Sequence, residues 1–316
     1  MSPRTKTVLV TGGAGFIGSH VAEAYRDAGW TVTVLDNLST GRRENVPDGV
    51  EFVHLDLSDD AVEALFRERG GFEVVNHHAA QADVRVSVAD PRRDARSNID
   101  GTLNVLEAAR RHGTRRVLFA SSGGVVYGEA AQRPTPEGSP KRPVSPYGVA
   151  KLAGEYYLGS YAQVHGLEYV ALRYANVYGP RQDPAGEAGV VAIFCGRLER
   201  GEPLVVYGDG EQTRDYVYVE DVAAANLLLA EAKLPPFEGI DGAAYNVGTG
   251  EETSVNELAR LLQEATGRSV PVEHAPARPG ELQRSALDAS KLRALGWKPQ
   301  VTRAEGLART YHALSG

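Results

Sequence analysis

The first half of the chain alternates short β-branched segments with helix-like stretches, and this alternation restricts the fold more than any other feature. Six segments have the composition of buried strands: 6–12, 31–36, 51–56, 72–78, 115–122 and 168–176. The helix-like stretches between them include 16–29 and 98–113, and both end on glycine, a common helix stop. Strand–helix–strand repetition predicts an α/β fold with a doubly wound parallel sheet, whose ligands lie beyond the carboxyl ends of the strands.

The pattern changes after about residue 175, where proline and glycine become frequent and helices such as 254–267 are separated by short strands. We therefore predict two domains. Residues 1–174, with roughly 215–247, would form the first, and 175–214 with 248–316 would form a smaller C-terminal α/β substrate-binding domain.

Composition excludes several classes of protein. The 316 residues are 42% apolar and 24% charged, which is ordinary for a soluble globular protein. No run of about 18 apolar residues occurs, so we expect no membrane span, and the N-terminal apolar stretch is too short for a secretory signal. Cys195 is the single cysteine, so we expect no internal disulfide and a reducing, cytoplasmic environment. A net charge of −7 gives no general reason to bind nucleic acid.

A glycine-rich segment, VTGGAGFIGSH (10–20), follows the first strand and opens the first helix. Dinucleotide-binding turns have characteristic glycine spacings. Gly12, Gly15 and Gly18 match the spacing GxxGxxG, and Gly13, Gly15 and Gly18 match GxGxxG. Glycine permits the tight turn and the close approach of the backbone to a pyrophosphate, which the helix N-terminus then binds. The segment predicts a Rossmann-like nucleotide site.

Asp36 ends the second predicted strand and indicates which nucleotide is bound. Its carboxylate can accept both hydroxyls of an adenosine ribose and would repel a 2′-phosphate, so NAD is predicted rather than NADP. Arg42 and Arg43 follow closely and keep NADP as an alternative.

Two further polar features allow a functional and a structural interpretation. Asp56, after the third strand, can meet the adenine edge or cap a helix. His77 and His78 suggest a metal, but adjacent strand residues point to opposite faces and no third ligand stands at helical spacing. We therefore expect no metal.

The segment SPYGVAKLAGEYY (145–157) carries the strongest catalytic signal. Pro146 can open a helix, on which Tyr147 and Lys151 lie one turn apart on the same face. Tyrosine ionises near pH ~10, and a nearby ammonium favours its phenolate form. Two ordinary helix residues are the alternative interpretation.

Nine segments occur in an order that resembles a known family: TGGAGFIGSH, DNLSTG, HHAAQADVRVS, SNIDGTLNVLEAA, SPYGVAKLAGEYY, LRYANVYGPRQ, GDGEQTRDYVYVEDV, YNVGTG and RPGELQRSALDASK. Together they are similar to extended short-chain dehydrogenases/reductases that act on nucleotide sugars, and most similar to UDP-glucose 4-epimerases. The resemblance spans almost the whole chain and implies NAD as cofactor and a UDP-sugar as substrate.

The resemblance also implies roles for individual residues. Tyr147 would be the acid/base, Lys151 its modulator and a cofactor ligand, and Ser122 the partner of the sugar 4-hydroxyl. Tyr147 and Lys151 are also implied to contact NAD. The other residues implied to line NAD are Gly12, Gly15, Phe16, Ile17, Gly18, Asp36, Asn37, Asp56, Leu57, Ala79, Ala80, Gln81, Asn98 and Tyr174. Those implied to hold the nucleotide diphosphate are Asn176, Arg214, Arg278 and Glu281. In the implied mechanism, C4 is oxidised to a ketone, the sugar turns over, and hydride returns to the other face.

The assignment of Ser122 follows from the strand. Epimerases commonly place this hydroxyl four residues before the tyrosine of VYG, where this chain has Gly123. Aligning on the strand LFASS selects Ser122 instead, with one extra residue in the loop, because a loop absorbs an insertion more easily than a strand. A turn or helix cap is the other interpretation of this serine.

Gly123 and Gly124 stand where a 4,6-dehydratase of this family would need an Asp-Glu pair, so elimination lacks its acid. Ser285 falls where glucose/galactose epimerases often carry a bulky tyrosine, which keeps UDP-N-acetylglucosamine as a second substrate and UDP-glucuronate as a weaker one. A non-catalytic NAD-binding protein is an alternative of another class. The helices around 98–112 and 147–165 resemble those that pair into a homodimer in this family.

Overall fold

The computed structural model describes residues 6–184, 189–278 and 282–315. Its strands are β1 (Thr7–Thr11), β2 (Thr31–Asp36), β3 (Glu51–His54), β4 (Val74–His77), β5 (Arg116–Ser122), β6 (Glu168–Tyr174), β7 (Asn176–Tyr178), β8 (Leu204–Tyr207), β9 (Thr213–Arg214), β10 (Tyr216–Tyr218), β11 (Ala244–Val247), β12 (Thr253–Ser254) and β13 (Val272–Ala275). Its α-helices are α1 (Phe16–Asp27), α2 (Ala61–Arg69), α3 (Val84–Ala89), α4 (Pro91–Ala95), α5 (Gly101–Arg111), α6 (Gly123–Val126), α7 (Pro146–His165), α8 (Val190–Glu199), α9 (Val219–Glu231), α10 (Ile240–Ala243), α11 (Val255–Thr266), α12 (Ser290–Arg293) and α13 (Arg303–Leu314). A 3₁₀ turn spans Arg43–Asn45, and a π-helical segment spans Arg96–Asp100.

Seven strands form the central sheet, in the order β11-β6-β5-β4-β1-β2-β3. All of its neighbouring strands pair in parallel. The six strands predicted from the sequence are β1 to β6, and the doubly wound parallel sheet is confirmed. The strand order reverses between β1 and β4, the position where open α/β sheets bind ligands.

Helices cover both faces of this sheet because its strands are apolar on both sides. In β1, Val8 and Val10 join the core that includes Val21 of α1 and Leu229 of α9. Leu9, between them, faces the opposite core, which contains residues of α2, α5 and α7. Side chains alternate along a strand, so burial on both faces requires the continuous apolar runs seen in the sequence.

The later part of the chain builds a separate core and also returns to the central sheet. Phe194 of α8, Leu258 of α11 and Leu307 of α13 share the separate core with residues of β8. The chain comes back through α9, which packs against α1, and through β11, which pairs with β6. The domain boundaries proposed from the sequence stay a prediction.

Two glycines of α7 lie where a side chain would collide with neighbouring elements. A Cβ added to Gly154 would come within 2.6 Å of Cζ of Phe119 in β5. At the start of the helix, a Cβ on Gly148 would lie 2.8 Å from the Val125 carbonyl oxygen. Gly154 thus allows the close approach of α7 to β5, and Gly148 allows that of α7 to α6.

We expect Gly154→Ala to lower the free energy of unfolding by about 1–3 kcal/mol through overpacking against the Phe119 ring. Alanine ordinarily stabilises a helix interior relative to glycine by up to about 1 kcal/mol, so the sign of the effect is diagnostic. Gly196→Ala in α8 is the matched control, because its Cβ would meet only the mobile end of Arg200, at 3.3 Å, and Pro184 at 3.4 Å. Urea titration measures both variants, and a stabilised Gly154→Ala protein would contradict the prediction.

Candidate active site

The glycine turn after β1 leaves an open, uncapped helix N-terminus. Gly12 has a positive φ of 69°, and its added Cβ would lie 2.6 Å from the Ala79 backbone nitrogen. A Cβ on Gly18 would collide with the Gly12 carbonyl oxygen. Gly15, the N-cap of α1, meets only that same oxygen, at 3.2 Å, and the first turn of α1 has no acidic residue and no side-chain cap. Gly12 and Gly18 thus serve the turn, while the N-terminus at Gly15 is free to bind an anion.

Asp36, at the end of β2, lies beside this turn. Its Oδ2 accepts a hydrogen bond from the Ala14 backbone N–H at 3.0 Å, and its Oδ1 accepts one from the Leu38 N–H at 2.8 Å. Asn37 donates to the carboxylate of Asp56 at 2.5 Å. The Ser58 hydroxyl and backbone N–H lower the pKa of Asp56, with a smaller contribution from Asn37. An acidic, hydrogen-bonded rim therefore lies next to the open N-terminus of α1.

The segment after β4 forms another wall of the site and is tied to the π-helical segment. Asn98 accepts from the Gln81 backbone N–H at 2.8 Å, and donates to the Gln81 carbonyl at 2.8 Å and to Asp94 at 2.9 Å. The sequence predicted a regular helix from residue 98, and the π-helical turn was missed. Such turns frequently occur at functional sites because they redirect one side chain.

Hydrogen bonds around His77 specify one tautomer of its ring. Thr102 donates its hydroxyl proton to the Asn98 carbonyl at 2.7 Å, so it can only accept from Nε2 of His77, 3.0 Å away. Nδ1 is then the acceptor for the Thr11 hydroxyl at 2.6 Å, and Thr11 in turn accepts from the Ala79 N–H at 3.2 Å. Burial, with a smaller contribution from the charge of Lys151, lowers the pKa of His77 to about 3. A neutral histidine thus joins β1 to the two walls of the site.

His78 faces the other side of the sheet. Its Nε2 lies 3.0 Å from the Tyr174 hydroxyl, which also accepts from Asn226 of α9 at 2.8 Å. Burial lowers the pKa of His78 to about 3 and raises that of Tyr174. Within the described residues, no group of three or more His, Cys, Asp or Glu side chains could hold a metal ion.

The structure brings Tyr147 and Lys151 together beside the end of β5. Ser145 caps α7 by accepting from the Gly148 N–H at 3.1 Å, and Pro146 occupies the first turn. The buried Nζ of Lys151 lies 5.6 Å from the centre of the Tyr147 ring and 4.9 Å from that of Phe119 in β5. Helix α7 packs against both β5 and α6.

Ser122 stands at the N-cap position of α6, but its side chain makes no capping hydrogen bond. Its neighbour Ser121 points into the protein and donates to Glu155 of α7 at 2.6 Å. The two hydroxyls therefore differ. That of Ser121 is buried and hydrogen-bonded within the protein, whereas Ser122 is only partly buried, at the carboxyl end of the sheet. Sequence reasoning missed Glu155, although its place one turn after Lys151 on the same face was a usable signal.

The predicted diphosphate and sugar residues lie on the later elements. Arg214 ends β9, and Ser285 is held beside it by a hydrogen bond from its backbone N–H to the Thr213 carbonyl at 3.2 Å. Arg278 is exposed and stacks over the Tyr207 ring at 3.8 Å. Asn176 begins β7 and is exposed, and Glu281 lies outside the described residues.

Asp215, next to Arg214, was also missed from the sequence. Its carboxylate is buried and accepts from the Thr249 N–H at 2.9 Å and hydroxyl at 2.6 Å, from the Gly250 N–H at 3.0 Å and from the Leu287 N–H at 3.2 Å. Burial raises the pKa of Asp215, although the hydrogen bonds from these donors act to lower it. Asp215 thereby joins the strand of Arg214 to the loop after β11 and to the segment that carries Ser285. An acid directly before the apolar segment YVYV (216–219) was the available signal.

Comparison with known proteins agrees with this geometry. Residues 8–248 match the NAD dependent epimerase/dehydratase family. The UDP-glucose 4-epimerase of Thermotoga maritima, solved with UDP-glucose, is 47% identical over 97% of this chain and 98% of that one, with a TM-score of 0.92. The UDP-glucose 4-epimerase of Thermus thermophilus, solved with NAD, is 50% identical over 98% and 99%, with a TM-score of 0.90. The UDP-N-acetylglucosamine 4-epimerase of Methanobrevibacter ruminantium, solved with UDP-N-acetylmuramic acid, is 37% identical over 98% of both chains, with a TM-score of 0.91.

The doubly wound sheet, the glycine turn and the tyrosine–lysine helix define an extended short-chain dehydrogenase/reductase. The chain belongs to the NAD-dependent epimerase/dehydratase family.

The hydrogen bonds of His77 predict that its ring stays neutral, with the proton on Nε2, from about pH 8 down to about pH 5. Because its pKa is lowered to about 3 in the folded state, the unfolded chain alone takes up a proton as the pH falls below about 6.5. This histidine therefore lowers the free energy of unfolding by up to about 1.4 kcal/mol per pH unit between about pH 6.5 and pH 3. Nitrogen-15 spectra of histidine-labelled protein, with His77→Gln to assign the signals, test this. Protonation of Nδ1 within that range would contradict it.

Proposed function

We propose that the protein is an NAD-dependent isomerase that interconverts UDP-glucose and UDP-galactose by 4-epimerisation. The observation that carries the proposal is the position of Tyr147 and Lys151, one turn apart on α7 and packed beside β5, whose carboxyl end lies at the edge of the sheet where ligands bind. Relatives 47% and 50% identical over nearly the whole chain are UDP-glucose 4-epimerases.

The cofactor site is proposed to hold NAD with its pyrophosphate at the open N-terminus of α1 and its adenosine ribose at Asp36. The uncapped N-terminus at Gly15 and the absence of an acidic residue from the first turn of α1 support this fit. The other residues proposed to line NAD are Gly12, Phe16, Ile17, Gly18, Asn37, Asp56, Leu57, Ala79, Ala80, Gln81, Asn98 and Tyr174. When bound, NAD would supply the chemistry that takes hydride from C4 of the sugar and returns it to the opposite face.

The chain's own residues would move the proton and orient the sugar. Tyr147 takes the proton of the C4 hydroxyl as its C–O bond becomes a carbonyl, and returns it in the second half-reaction. Lys151 favours the phenolate by its positive charge. Ser122 bonds the same sugar oxygen, and the absence of a capping bond from its side chain supports this role.

The substrate is proposed to be held at its diphosphate while the sugar turns over. Arg214 and Arg278 offer guanidinium groups, which suit phosphate oxygens, and Asn176 and Glu281 would bind the remainder of the nucleotide. The four hydrogen-bond donors around Asp215 support a rigid position for its neighbour Arg214.

The surroundings of Gly123 favour epimerisation over elimination of water. A Cβ at Gly123 would lie 2.6 Å from Cδ1 of Leu287, so a carboxylate side chain could enter there only if Leu287 moved. Gly124 has open space but carries no acid. A 4,6-dehydratase needs a general acid at this place, so the chain is poorly suited to that reaction.

The size of Ser285 supports UDP-N-acetylglucosamine as a second candidate substrate. A serine leaves room for a larger C2 substituent, and a 37% identical relative is a UDP-N-acetylglucosamine 4-epimerase. UDP-glucuronate is the weaker alternative.

The single cysteine supports a cytoplasmic location.

Incubation of the purified protein without added cofactor, and then with NAD, tests the proposed function. The substrates are UDP-galactose, UDP-N-acetylglucosamine and UDP-glucuronate, and chromatography resolves the products. We expect UDP-glucose from UDP-galactose, and a loss of about 10²–10⁴-fold in kcat for Tyr147→Phe. Tyr157→Phe, on the exposed face of the same helix, is the control. Unchanged epimerisation by Tyr147→Phe would exclude it as the base, and turnover of the N-acetyl sugar alone would reassign the substrate.

An exposed apolar face supports a homodimer. Val84 and Val88 of α3 and Val149 and Tyr156 of α7 are exposed, and the two helices pack together. A cavity of about 530 Å³ lies beside them, lined largely by apolar side chains between α4 and the start of α7. We propose that a second copy of the chain covers this face.

Within the described residues, no helix is long and apolar enough to cross a membrane.

We expect sedimentation to give twice the mass of one chain for the wild type. Val149→Asp would bury a carboxylate in the proposed interface and should give the mass of one chain. Val272→Asp places the same charge on β13, away from that face, and should leave the mass unchanged. A single-chain mass for the wild type would contradict the dimer.

A further inference from the structure

Glu155 is a fully buried carboxylate with a defined set of partners. It follows Tyr147 and Lys151 at the next turn of α7, on the helix face toward the sheet. Oε1 accepts from the Ser121 hydroxyl at 2.6 Å and from Nε of Arg173 at 3.0 Å, and Oε2 accepts from Nη2 of Arg173 at 2.6 Å. The carboxylate therefore joins three elements: α7, the end of β5, and β6.

Arg173 makes this burial possible and extends the contact to the far side of Ser122. Glu155 and Arg173 both have 0% of their side chains exposed, and a buried charge persists only when it is paired and hydrogen-bonded. The remaining guanidinium nitrogen, Nη1, donates to the Tyr127 hydroxyl and to the Glu137 carbonyl, both at 2.9 Å. The ion pair thus holds Ser121 on one side of Ser122 and Tyr127 on the other.

We propose that Glu155, acting through Ser121, is a positioning residue for Ser122. The inference rests on the proposed epimerase function, in which Ser122 bonds the sugar 4-hydroxyl. Ser122 makes no capping bond of its own, so its orientation depends on the neighbours that fix its backbone. Ser121 precedes it directly and is tied to the helix that carries Tyr147. The bond between Ser121 and Glu155 therefore sets the hydroxyl of β5 relative to the acid/base of α7.

A purely structural role for the ion pair makes a different prediction. If Glu155 and Arg173 only hold the sheet and helices together, removal of the Ser121 hydroxyl leaves their mutual bonds in place and costs little activity. If Ser121 positions Ser122, its loss lowers kcat with little change in KM, because small displacements of reacting groups reduce rate more than binding.

The experiment compares kcat and KM for UDP-galactose in the wild type, Ser121→Ala, Ser122→Ala and the double variant. We expect kcat to fall about 10-fold in Ser121→Ala and about 100-fold in Ser122→Ala, with KM within about 2-fold of wild type. The double variant should be no slower than Ser122→Ala alone, since a positioning residue has nothing left to position. Independent, multiplying losses, or wild-type kcat in Ser121→Ala, would overturn the proposal.

Two further variants separate positioning from loss of fold. Ser121→Thr keeps the hydroxyl and should recover most of kcat. Thr310→Val removes another fully buried hydroxyl, which donates to the Gly306 carbonyl within α13, and should leave kcat unchanged.

Amide hydrogen exchange provides a readout that does not depend on turnover. Residues 122–127 should exchange at least about 10-fold faster in Ser121→Ala than in wild type, and unchanged exchange there would overturn the proposed link. A wild-type protein that converts no UDP-sugar would instead refute the proposed function, and the exchange result would still decide whether Ser121 holds this segment.

Discussion

All seven strands of the central sheet run parallel, and this constraint determines where the site can form. Each parallel strand needs a crossover before the next, so the carboxyl ends of all strands meet along one edge. Asp36 ends β2, His77 ends β4, Ser122 ends β5 and Tyr174 ends β6. Groups far apart in the sequence are thereby brought to one edge by topology alone, and the strand reversal between β1 and β4 opens the crevice beside them.

The distances within that crevice depend on side chains that are missing. Gly12 and Gly18 allow the turn after β1 to approach both the segment after β4 and the first helix. Gly154 does the same for α7 against β5, and so brings the tyrosine–lysine face to the strand end. In close-packed interiors one added methyl displaces its neighbours. Glycine at these positions is thus part of the geometry of the site as well as of the fold.

The parts of the fold that sequence could predict are those that depend on neighbouring residues. Strand composition placed β1 to β6, and the glycine and tyrosine–lysine spacings placed the cofactor turn and α7. Glu155 and Asp215 were missed because their partners are distant in sequence: Arg173 lies on β6, and Leu287 lies beyond β13. The π-helical turn at Asn98 was missed because its composition is that of an ordinary helix. Local patterns specify elements, whereas buried polar pairs depend on how those elements meet.

The charges around Lys151 show why such buried pairs matter for the chemistry. His77 and His78 are near enough for the ammonium to contribute to lowering their pKa values to about 3, so both are neutral at ordinary pH. Glu155, one turn further along α7, is neutralised by its ion pair with Arg173. Neither histidine therefore adds a positive charge, and the nearest acid along the helix is already paired. In a site of low dielectric, the Lys151 ammonium acts on Asp94, where it counters part of the pKa rise caused by burial, and on Tyr147, whose ring centre lies 5.6 Å from Nζ. The buried network thus keeps both histidines beside this cation neutral and pairs the nearest acid of the same helix.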